Sequence, residues 1–279
     1  MKLAFTKMQG LGNDFVVFDG ISQPLSIGPQ LAKGVADRHT GIGCDQILVA
    51  EASRSPDADI FYRIFNADGS EVGQCANGVR CIARFLFDQG VIQSREIVVE
   101  TKTTKMRATL EEGGMVRVDM GAPRLEPGEI PISFQRRQPR YELDLGSHQV
   151  SVLSLSLGNP HAVQFVSDVA VTAVEELGGL IESHPLFPER TNAEFVEVVD
   201  RETIRARIFE RGVGETRASG SGGVASAVAA HLAGLVDNAV KVIMPGGEML
   251  VSWEGEGFPV LMIGPAVTVF EGIVETDSL

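Results

Sequence analysis

Two stretches of the chain decide its fold: IFNADGSEVGQCANGVRCIARFL at residues 64–86 and IFERGVGETRASGSGGVASAVAA at residues 208–230. Aligned without gaps at an offset of 144 residues (208 − 64), they share Ile, Phe, Glu, Gly and Ala in the same order. The triplet Leu-Gly-Asn at 11–13 recurs at 157–159, an offset of 146 (157 − 11). Self-similarity at a nearly constant period indicates a duplicated unit. We therefore expect two similar halves.

Each half is predicted to mix strands with helices. Apolar runs bounded by Gly and Asp predict strands at 15–19, 46–50, 60–66 and 96–100. A helix is predicted at Asn77–Gln89, with Arg80 and Arg84 opposite its apolar face. A second helix, small and rich in Ala, is predicted at Gly223–Leu235.

Composition narrows the class of protein. The formal net charge of −13 argues against nucleic acid as a partner, because phosphate binding needs a basic face. No apolar stretch approaches the roughly 20 residues that span a bilayer. The apolar run near the N-terminus is too short for the core of a signal peptide. We expect a cytoplasmic protein without membrane association. Its three Cys and five His show no C-x-x-C or H-x-x-x-H spacing, so neither a disulfide framework nor structural zinc is expected.

The two predicted helices begin just after Cys75 and Ser219, which the repeat aligns with each other. A Gly-rich turn that opens a helix leaves backbone N–H groups unpaired beside the positive end of the helix dipole. Such a place suits a carboxylate, a thiolate or a developing oxyanion. Duplication would bring two of these helix starts to one ligand.

Cys75 has two interpretations. A lone Cys is commonly a small core residue. The Gly, Asn and Gln around Cys75 are poor core neighbours, however, and a helix N-terminus lowers the pKa of a thiol toward a useful range. Cys44, at the start of a strand, and Cys81, within the helix, are interpreted as packing residues.

Several blocks of the chain together resemble the diaminopimelate epimerase family. In the first half they are MQGLGNDF (8–15), DRHTGIGCDQ (37–46), YRIFNADGSE (62–71) and the block around Cys75. In the second half they are GNPH (158–161), FPERTN (187–192), ERGVGET (210–216), PGG (245–247) and GPA (264–266). The resemblance runs in order from residue 5 to about residue 272, and the set is highly specific.

The resemblance implies an α/β (α+β) fold of two pseudo-symmetric domains, each a β-sheet wrapped around a central helix, with the active site in the cleft between them. It places residues 1–121 and 268–279 in the domain that carries Cys75, and residues 122–267 in the domain that carries Ser219. The family inverts the α-carbon of LL-diaminopimelate to give the meso isomer, in lysine and peptidoglycan precursor biosynthesis. It uses neither pyridoxal phosphate nor a metal, and a homodimer fits it.

The resemblance also implies residue roles. Two cysteines of the family, one on each face of the substrate, remove and donate the α-proton, and Cys75 matches one of them. His161 and Glu210 would support this pair, while Gly220 and Ser221 would offer backbone N–H groups to the reacting carboxylate, beside Ala76. The two amino-acid ends of the substrate would be held by Asn13, Gln46, Asn66, Asn77, Asn159, Asn192 and Arg211.

The chain departs from the family pattern at two positions. Ser219 stands where the family has its second cysteine, in Ala218-Ser219-Gly220-Ser221-Gly222. Ala76 stands where the family usually has Gly, which narrows the space beside the substrate carboxylate. A hydroxyl is a poorer base than a thiol and needs an activating neighbour.

Ser219 leaves three interpretations of the activity open. The chain is an engineered Cys-to-Ser variant, or a natural and slow epimerase in which Glu210 or a water assists Ser219. The third interpretation is a relative with changed chemistry, like the one-cysteine members of the proline-racemase superfamily that dehydrate hydroxyprolines. The residues that match the diaminopimelate pattern favour the second interpretation over the third.

The alternative to an enzyme is a binding protein. A non-catalytic amino-acid-binding protein would keep the cleft and lose one catalytic group, as at Ser219; the retained Cys75 speaks against it. Adjacent charges such as those of Glu210 and Arg211 are by default a silent surface ion pair. The Gly-rich segment 212–223 lacks the Lys of a phosphate-binding loop, so no nucleotide cofactor is expected.

Overall fold

The computed structural model describes residues 2–73, 75–146, 148–276 and 279 of the chain. The chain divides into two compact units, one of Met1–Asp119 with Ile263–Leu279 and the other of Met120–Met262. Among the described residues, no helix has both the length and the apolar character needed to cross a membrane.

The first unit is built on one sheet and two helices. Its strands are β1 (Lys2–Gly10), β2 (Asn13–Asp19), β3 (Gln46–Ala52), β4 (Ile60–Asn66), β5 (Glu71–Val72), β6 (Glu96–Glu100), β7 (Lys105–Leu110) and β8 (Met115–Asp119). Its helices are α1 (Pro29–Ala36) and α2 (Ala76–Asp88), and a 3₁₀ turn covers Glu112–Gly114. The C-terminal strand β18 (Val267–Glu275) pairs antiparallel with β1.

This sheet combines parallel and antiparallel pairs. Strand β2 runs parallel to β3, and β4 runs parallel to β6. The pairs β1–β2, β3–β4, β6–β7 and β7–β8 are antiparallel, and the short β5 adds to one end of β4. Helix α2 contacts β1, β2, β3, β6, β7 and β8, so the sheet wraps around it.

The second unit has the same order of elements. Its strands are β9 (Tyr141–Asp144), β10 (Gln149–Ser156), β11 (Pro160–Phe165), β12 (Asn192–Asp200), β13 (Thr203–Glu210), β14 (Gly214–Thr216), β15 (Ala239–Met244) and β16 (Gly247–Trp253). Its helices are α3 (Val174–Glu182) and α4 (Gly220–Leu232), and β17 (Val260–Pro265) carries the chain back to the first unit.

The pairing pattern of the second unit repeats that of the first. Strand β11 runs parallel to β12, and β13 runs parallel to β15, while β10–β11, β12–β13, β13–β14 and β15–β16 are antiparallel. Helix α4 contacts β10, β11, β12, β13, β15 and β16. The small side chains of α4 allow the helix to pack closely against the strands. At Gly223, for example, a Cβ would lie only 2.2 Å from the Met249 methyl carbon.

The duplication predicted from the sequence is confirmed at the level of single residues. Helix α4 begins and ends 144 residues after α2 (220 − 76 and 232 − 88). The strand before each helix carries a bidentate ion pair at the same offset, Arg63 with Glu71 and Arg207 with Glu215. The mixed α/β fold with a helix inside each sheet is therefore as expected.

Two details differ from the sequence predictions. Helix α4 begins at Gly220, three residues before the predicted start, because Ser219 caps it ahead of its glycines. Arg80 does not lie on an exposed polar face: it is 0% exposed, and its Nε donates to Pro265 O at 3.2 Å. Arg84, by contrast, lies nearer the surface and pairs with Asp88 at 2.7 Å.

Candidate active site

Cys75 is the N-cap residue of α2. Its backbone is extended, and its Sγ accepts a hydrogen bond from the Gly78 N–H at 3.4 Å. Ala76 follows as the first helical residue, and Asn77 is 3% exposed with an Oδ1 that meets no hydrogen-bond partner among the described residues. The thiol therefore stands where unpaired N–H groups and the helix dipole favour negative charge.

Asn13 is held beside this helix start by a charged network. Its Nδ2 donates to Asp45 Oδ2 at 2.9 Å, and its Oδ1 accepts from Asn77 Nδ2 at 3.4 Å. Arg38 bridges Asp45 and Asp14, and the Lys7 ammonium also binds Asp14. Burial opposes ionisation of Asp14, but the hydrogen bonds from Arg38 and Lys7 outweigh it and hold the pKa of Asp14 well below its ordinary value.

Gln46 and Asn66 face each other across β3 and β4. They are direct partners in the strand register, and Gln46 Nε2 donates to Asn66 Oδ1 at 2.9 Å. Gln46 Oε1 is buried and meets no partner among the described residues. The first unit thus presents several amide groups, of which two buried oxygens are unsatisfied, a state that calls for a ligand or a water.

The other two cysteines are packing residues, as predicted. Cys44 is 2% exposed and Cys81 is 0% exposed. Burial raises the pKa of each of these thiols to about 12. Neither thiol is therefore suited to act as a base.

Ser219 occupies in the second unit the place that Cys75 occupies in the first. It is the N-cap residue of α4, and its Oγ accepts from the Gly222 N–H at 3.3 Å. Glu210 accepts a hydrogen bond from Thr216 Oγ1 at 2.7 Å. Burial raises the pKa of the Glu210 carboxyl, against the effect of Thr216, of the nearby His161 and of Ser219.

His161 is held by a buried carboxylate that the sequence analysis did not single out. Glu194 Oε1 lies 2.6 Å from His161 Nδ1, and both side chains are 0% exposed. On the other side of the ring, Nε2 lies 3.1 Å from Asn159 Oδ1. Burial raises the pKa of Glu194, and His161 acts against that rise. Such a carboxylate fixes the orientation of the ring.

Asn192 and Arg211 form the rest of the second unit's polar group. Asn192 Nδ2 donates to Pro160 O at 2.9 Å, and its Oδ1 accepts from the Arg211 N–H at 3.0 Å. The Arg211 guanidinium donates to the backbone carbonyl of Glu189 at 3.0 Å. It therefore does not form the surface ion pair with Glu210 that adjacent charges suggest. Glu182, 5% exposed, accepts from the Gly212 N–H at 2.6 Å and anchors the loop.

Within each unit the structure brings together the residues singled out from the sequence. In the first unit Cys75, Ala76, Asn77 and Asn13 are in contact, and Gln46 pairs with Asn66 on the adjoining strands. In the second unit Asn159 links His161 to Ser221, at 3.1 Å and 3.5 Å, and Gly220 begins the helix after Ser219. No cluster of three or more potential metal ligands occurs in the described part of the chain.

Comparison with known proteins identifies the family. The family model described as "Diaminopimelate epimerase" matches residues 5–126 and 153–269. The chain belongs to the diaminopimelate epimerase family. It is 52% identical over 277 residues to the diaminopimelate epimerase of Aromatoleum aromaticum, covering 99% of this chain and 100% of that protein. It is 51% identical to that of Stutzerimonas stutzeri, covering 98% and 99%.

Solved structures with low sequence identity share the fold of this family member. A hydroxyproline epimerase from Agrobacterium vitis superposes with a TM-score of 0.72 at 16% identity, covering 98% of this chain and 92% of that one. A Bacillus anthracis protein of the PhzF phenazine biosynthesis family gives 0.70 at 17% identity, covering 99% of each chain. The fold is thus that of a wider group of epimerases and related proteins.

Proposed function

We propose that this family member interconverts LL- and meso-diaminopimelate without a cofactor, by proton transfer between Cys75, the substrate α-carbon and Ser219. One observation carries the proposal: a side chain able to exchange a proton caps each of two helices that are 144 residues apart (220 − 76). Each cap accepts the N–H of the residue three positions later, Gly78 in one unit and Gly222 in the other.

On one face of the substrate, the Cys75 thiolate takes the α-proton and becomes a thiol. The electron pair left on the α-carbon is delocalised into the substrate carboxylate, where negative charge grows. Helix starts with free N–H groups supply preorganised dipoles for that charge. General acid–base catalysis of this kind contributes about 10²–10⁴-fold.

On the other face, the Ser219 hydroxyl gives its proton to the α-carbon. The Glu210 carboxyl, which burial keeps protonated to higher pH than usual and which is near enough to Ser219 for that residue to influence its pKa, replaces that proton. In the reverse direction Glu210 as carboxylate accepts the Ser219 proton while Ser219 removes the α-proton. His161, held by Glu194, lies near enough to Glu210 to stabilise its carboxylate form.

The polar groups of the two units bind the substrate ends in this proposal. The buried oxygens Asn77 Oδ1 and Gln46 Oε1 support the binding of substrate ammonium groups, because both are acceptors without a partner among the described residues. The remaining binding groups are Asn13, Asn66, Ala76, Asn159, Asn192, Arg211, Gly220 and Ser221. Arg211 is the cation among them that suits a carboxylate.

The test is α-deuterium incorporation in D₂O, followed by NMR from LL-diaminopimelate and, separately, from the meso isomer. Wash-in from both isomers with conversion supports the two-base proposal. Exchange from a single isomer would mean that Cys75 works alone. Absence of exchange in protein shown to bind the ligand favours an amino-acid-binding role, and loss of water from hydroxyproline would favour the dehydratase alternative.

Three variants assign the two faces. Cys75→Ala should abolish conversion, and also exchange from the isomer whose α-proton faces Cys75, because no base remains on that face. Ser219→Ala should leave exchange of one isomer without conversion, while Ser219→Cys restores the family residue and should raise the rate of conversion. A rate unchanged by both Ser219 substitutions would contradict a role for Ser219.

We propose further that the protein is a cytoplasmic homodimer that associates through β18. This strand exposes large apolar side chains on both faces: Val269 is 55% exposed, Phe270 47% and Ile273 70%. Exposed apolar patches of this kind mark association surfaces. Sedimentation should give a dimer for the unmodified chain and a monomer for Phe270→Glu. Val171→Glu, at an apolar residue of the second unit that is 81% exposed, is the control and should stay a dimer.

A further inference from the structure

We infer that Tyr62 is a positioning residue for Cys75: its buried hydroxyl donates a hydrogen bond to the Cys75 thiolate formed in turnover, and so favours that form of the thiol. This inference deepens the proposed function and rests on it, because it concerns the base assigned there. Tyr62 lies on β4, the strand that also carries Asn66.

The first observation is an unsatisfied hydroxyl. Tyr62 is 1% exposed, and its Oη has no hydrogen-bond partner among the described residues. Burying a hydroxyl without a partner is costly, and buried tyrosines usually find one. A hydroxyl that needs a partner and borders the same glycine as a reacting thiol is accounted for when its partner is the charge that the reaction creates on the sulfur.

The second observation is proximity through Gly78. A Cβ built on Gly78 would lie only 2.0 Å from Tyr62 Oη, so the hydroxyl rests against the first turn of α2. The N–H of the same residue donates to Cys75 Sγ. Hydroxyl and sulfur therefore both border Gly78. After burial, the charge of Cys75 is the strongest influence that raises the pKa of Tyr62.

The third observation comes from the internal repeat. The residue 144 positions after Tyr62 is Ala206, on β13. The residue 144 positions after Arg80 is Val224. The cysteine unit thus has a phenol and a buried cation where the serine unit has only apolar side chains, although both units share the same backbone arrangement. The phenol and the buried cation therefore occur in the unit that carries the thiol, as expected if they stabilise a thiolate.

Two further titratable groups, Arg80 and Cys81, share charge interactions with Cys75 or Tyr62. Arg80 and Cys81 lie on α2 itself; the charges of Cys75 and Cys81 both act on Tyr62, and both also act on Arg80. Burial lowers the pKa of Arg80, which its two sulfur neighbours oppose. Arg80 favours a thiolate as well, so removal of the Tyr62 hydroxyl should weaken this preference without abolishing it.

The experiment is the pH dependence of alkylation of Cys75 by iodoacetamide, read by mass spectrometry in the full chain. Cys44 and Cys81 are buried and provide internal references. Tyr62→Phe should move the alkylation midpoint up by about one pKa unit, a tenfold smaller thiolate fraction below the midpoint. It should not lower the urea unfolding midpoint, because the hydroxyl it removes has no hydrogen-bond partner among the described residues.

Tyr141→Phe is the matched control, since Tyr141 is the other tyrosine and is 3% exposed in the second unit. Its hydroxyl accepts from the Gln138 N–H at 3.3 Å, so this control should lose some stability and leave the alkylation midpoint unchanged. An unchanged midpoint in folded Tyr62→Phe overturns the inference, whatever its stability. Alkylation needs no substrate, so the wash-in experiment can fail while this inference stands, and the reverse.

Discussion

The contact between Gly78 and Tyr62 allows a substitution whose cost follows directly from the structure. In Gly78→Ala, the new Cβ would lie 2.0 Å from Tyr62 Oη and 3.2 Å from Leu48 Cδ2. Tyr62 is 1% exposed and has no room to turn away. Overpacking of this kind costs up to about 3 kcal/mol, and alanine recovers about 1 kcal/mol of helix propensity, which leaves a net loss of about 2 kcal/mol.

The double variant Gly78→Ala/Tyr62→Phe identifies the cause of that loss. Without the hydroxyl, the nearest tyrosine atom to the new Cβ is Cζ at 3.3 Å, a tight but tolerable contact. We therefore expect the double variant to recover at least half of the loss, about 1 kcal/mol of coupling in a double-mutant cycle. Urea unfolding followed by circular dichroism measures it, provided the slope with denaturant stays constant.

Gly222→Ala is the matched control in the second unit. Its Cβ would lie 2.9 Å from two methyl carbons of Ile208, a smaller overlap than the 2.0 Å at Gly78, so it should cost less than Gly78→Ala. Tyr62→Phe should give it no relief. The reasoning is refuted if Gly78→Ala is neutral, or if Tyr62→Phe relieves the two glycine variants equally.

Three further variants test the charges of the site. Glu194→Gln should lower kcat about tenfold, because His161 keeps an acceptor but loses a charge-assisted hydrogen bond; steady-state kinetics with LL-diaminopimelate measures it. Glu210→Gln should lower conversion by about 10²-fold or more, since Gln cannot return a proton to Ser219; a rate within a few-fold of the parent would contradict this relay. Asp14, whose folded pKa is depressed below 3.8, contributes stability that is present above that value and is lost as pH falls through the depressed pKa. Asp14→Asn should therefore destabilise the protein at pH 7 and flatten this acid loss in urea unfolding.

Much of the fold can be predicted from local patterns. The predicted strands 60–66 and 96–100 coincide with β4 and β6, because apolar runs of this length between Gly and Asp have few alternatives. Local patterns predict a start of α4 three residues too late, because Gly220 and Gly222 have low helix propensity. These glycines are helical because Ser219 caps the helix, and because the helix packs so closely on the strands that a larger side chain at Gly222 would overlap Ile208.

The buried charges of the site are harder to predict from the sequence, because their partners are distant in the chain. Arg80 has the helical spacing of a surface residue, and its buried partner, the Pro265 carbonyl, lies 185 residues away in the chain. Glu194 lies in a strand among apolar residues, and only the parallel pairing of β11 with β12 brings it to His161. A charged residue inside an otherwise apolar strand is the signal that could have pointed to Glu194.

In the proposed mechanism both units exchange the α-proton of the substrate, but the residues around the two helix caps differ. In the cysteine unit, position 66 is an amide that bonds Gln46, and the thiol needs no base because a thiolate forms readily beside donors. In the serine unit the repeat places Glu210 at that position, where Thr216 donates to it and Ser219 influences the pKa of its carboxyl. A hydroxyl becomes an acid and base only with such a partner. Exchanging Asn66 and Glu210 alone should therefore disable the serine unit while the thiol still forms its thiolate, so that alkylation of Cys75 survives where conversion is lost.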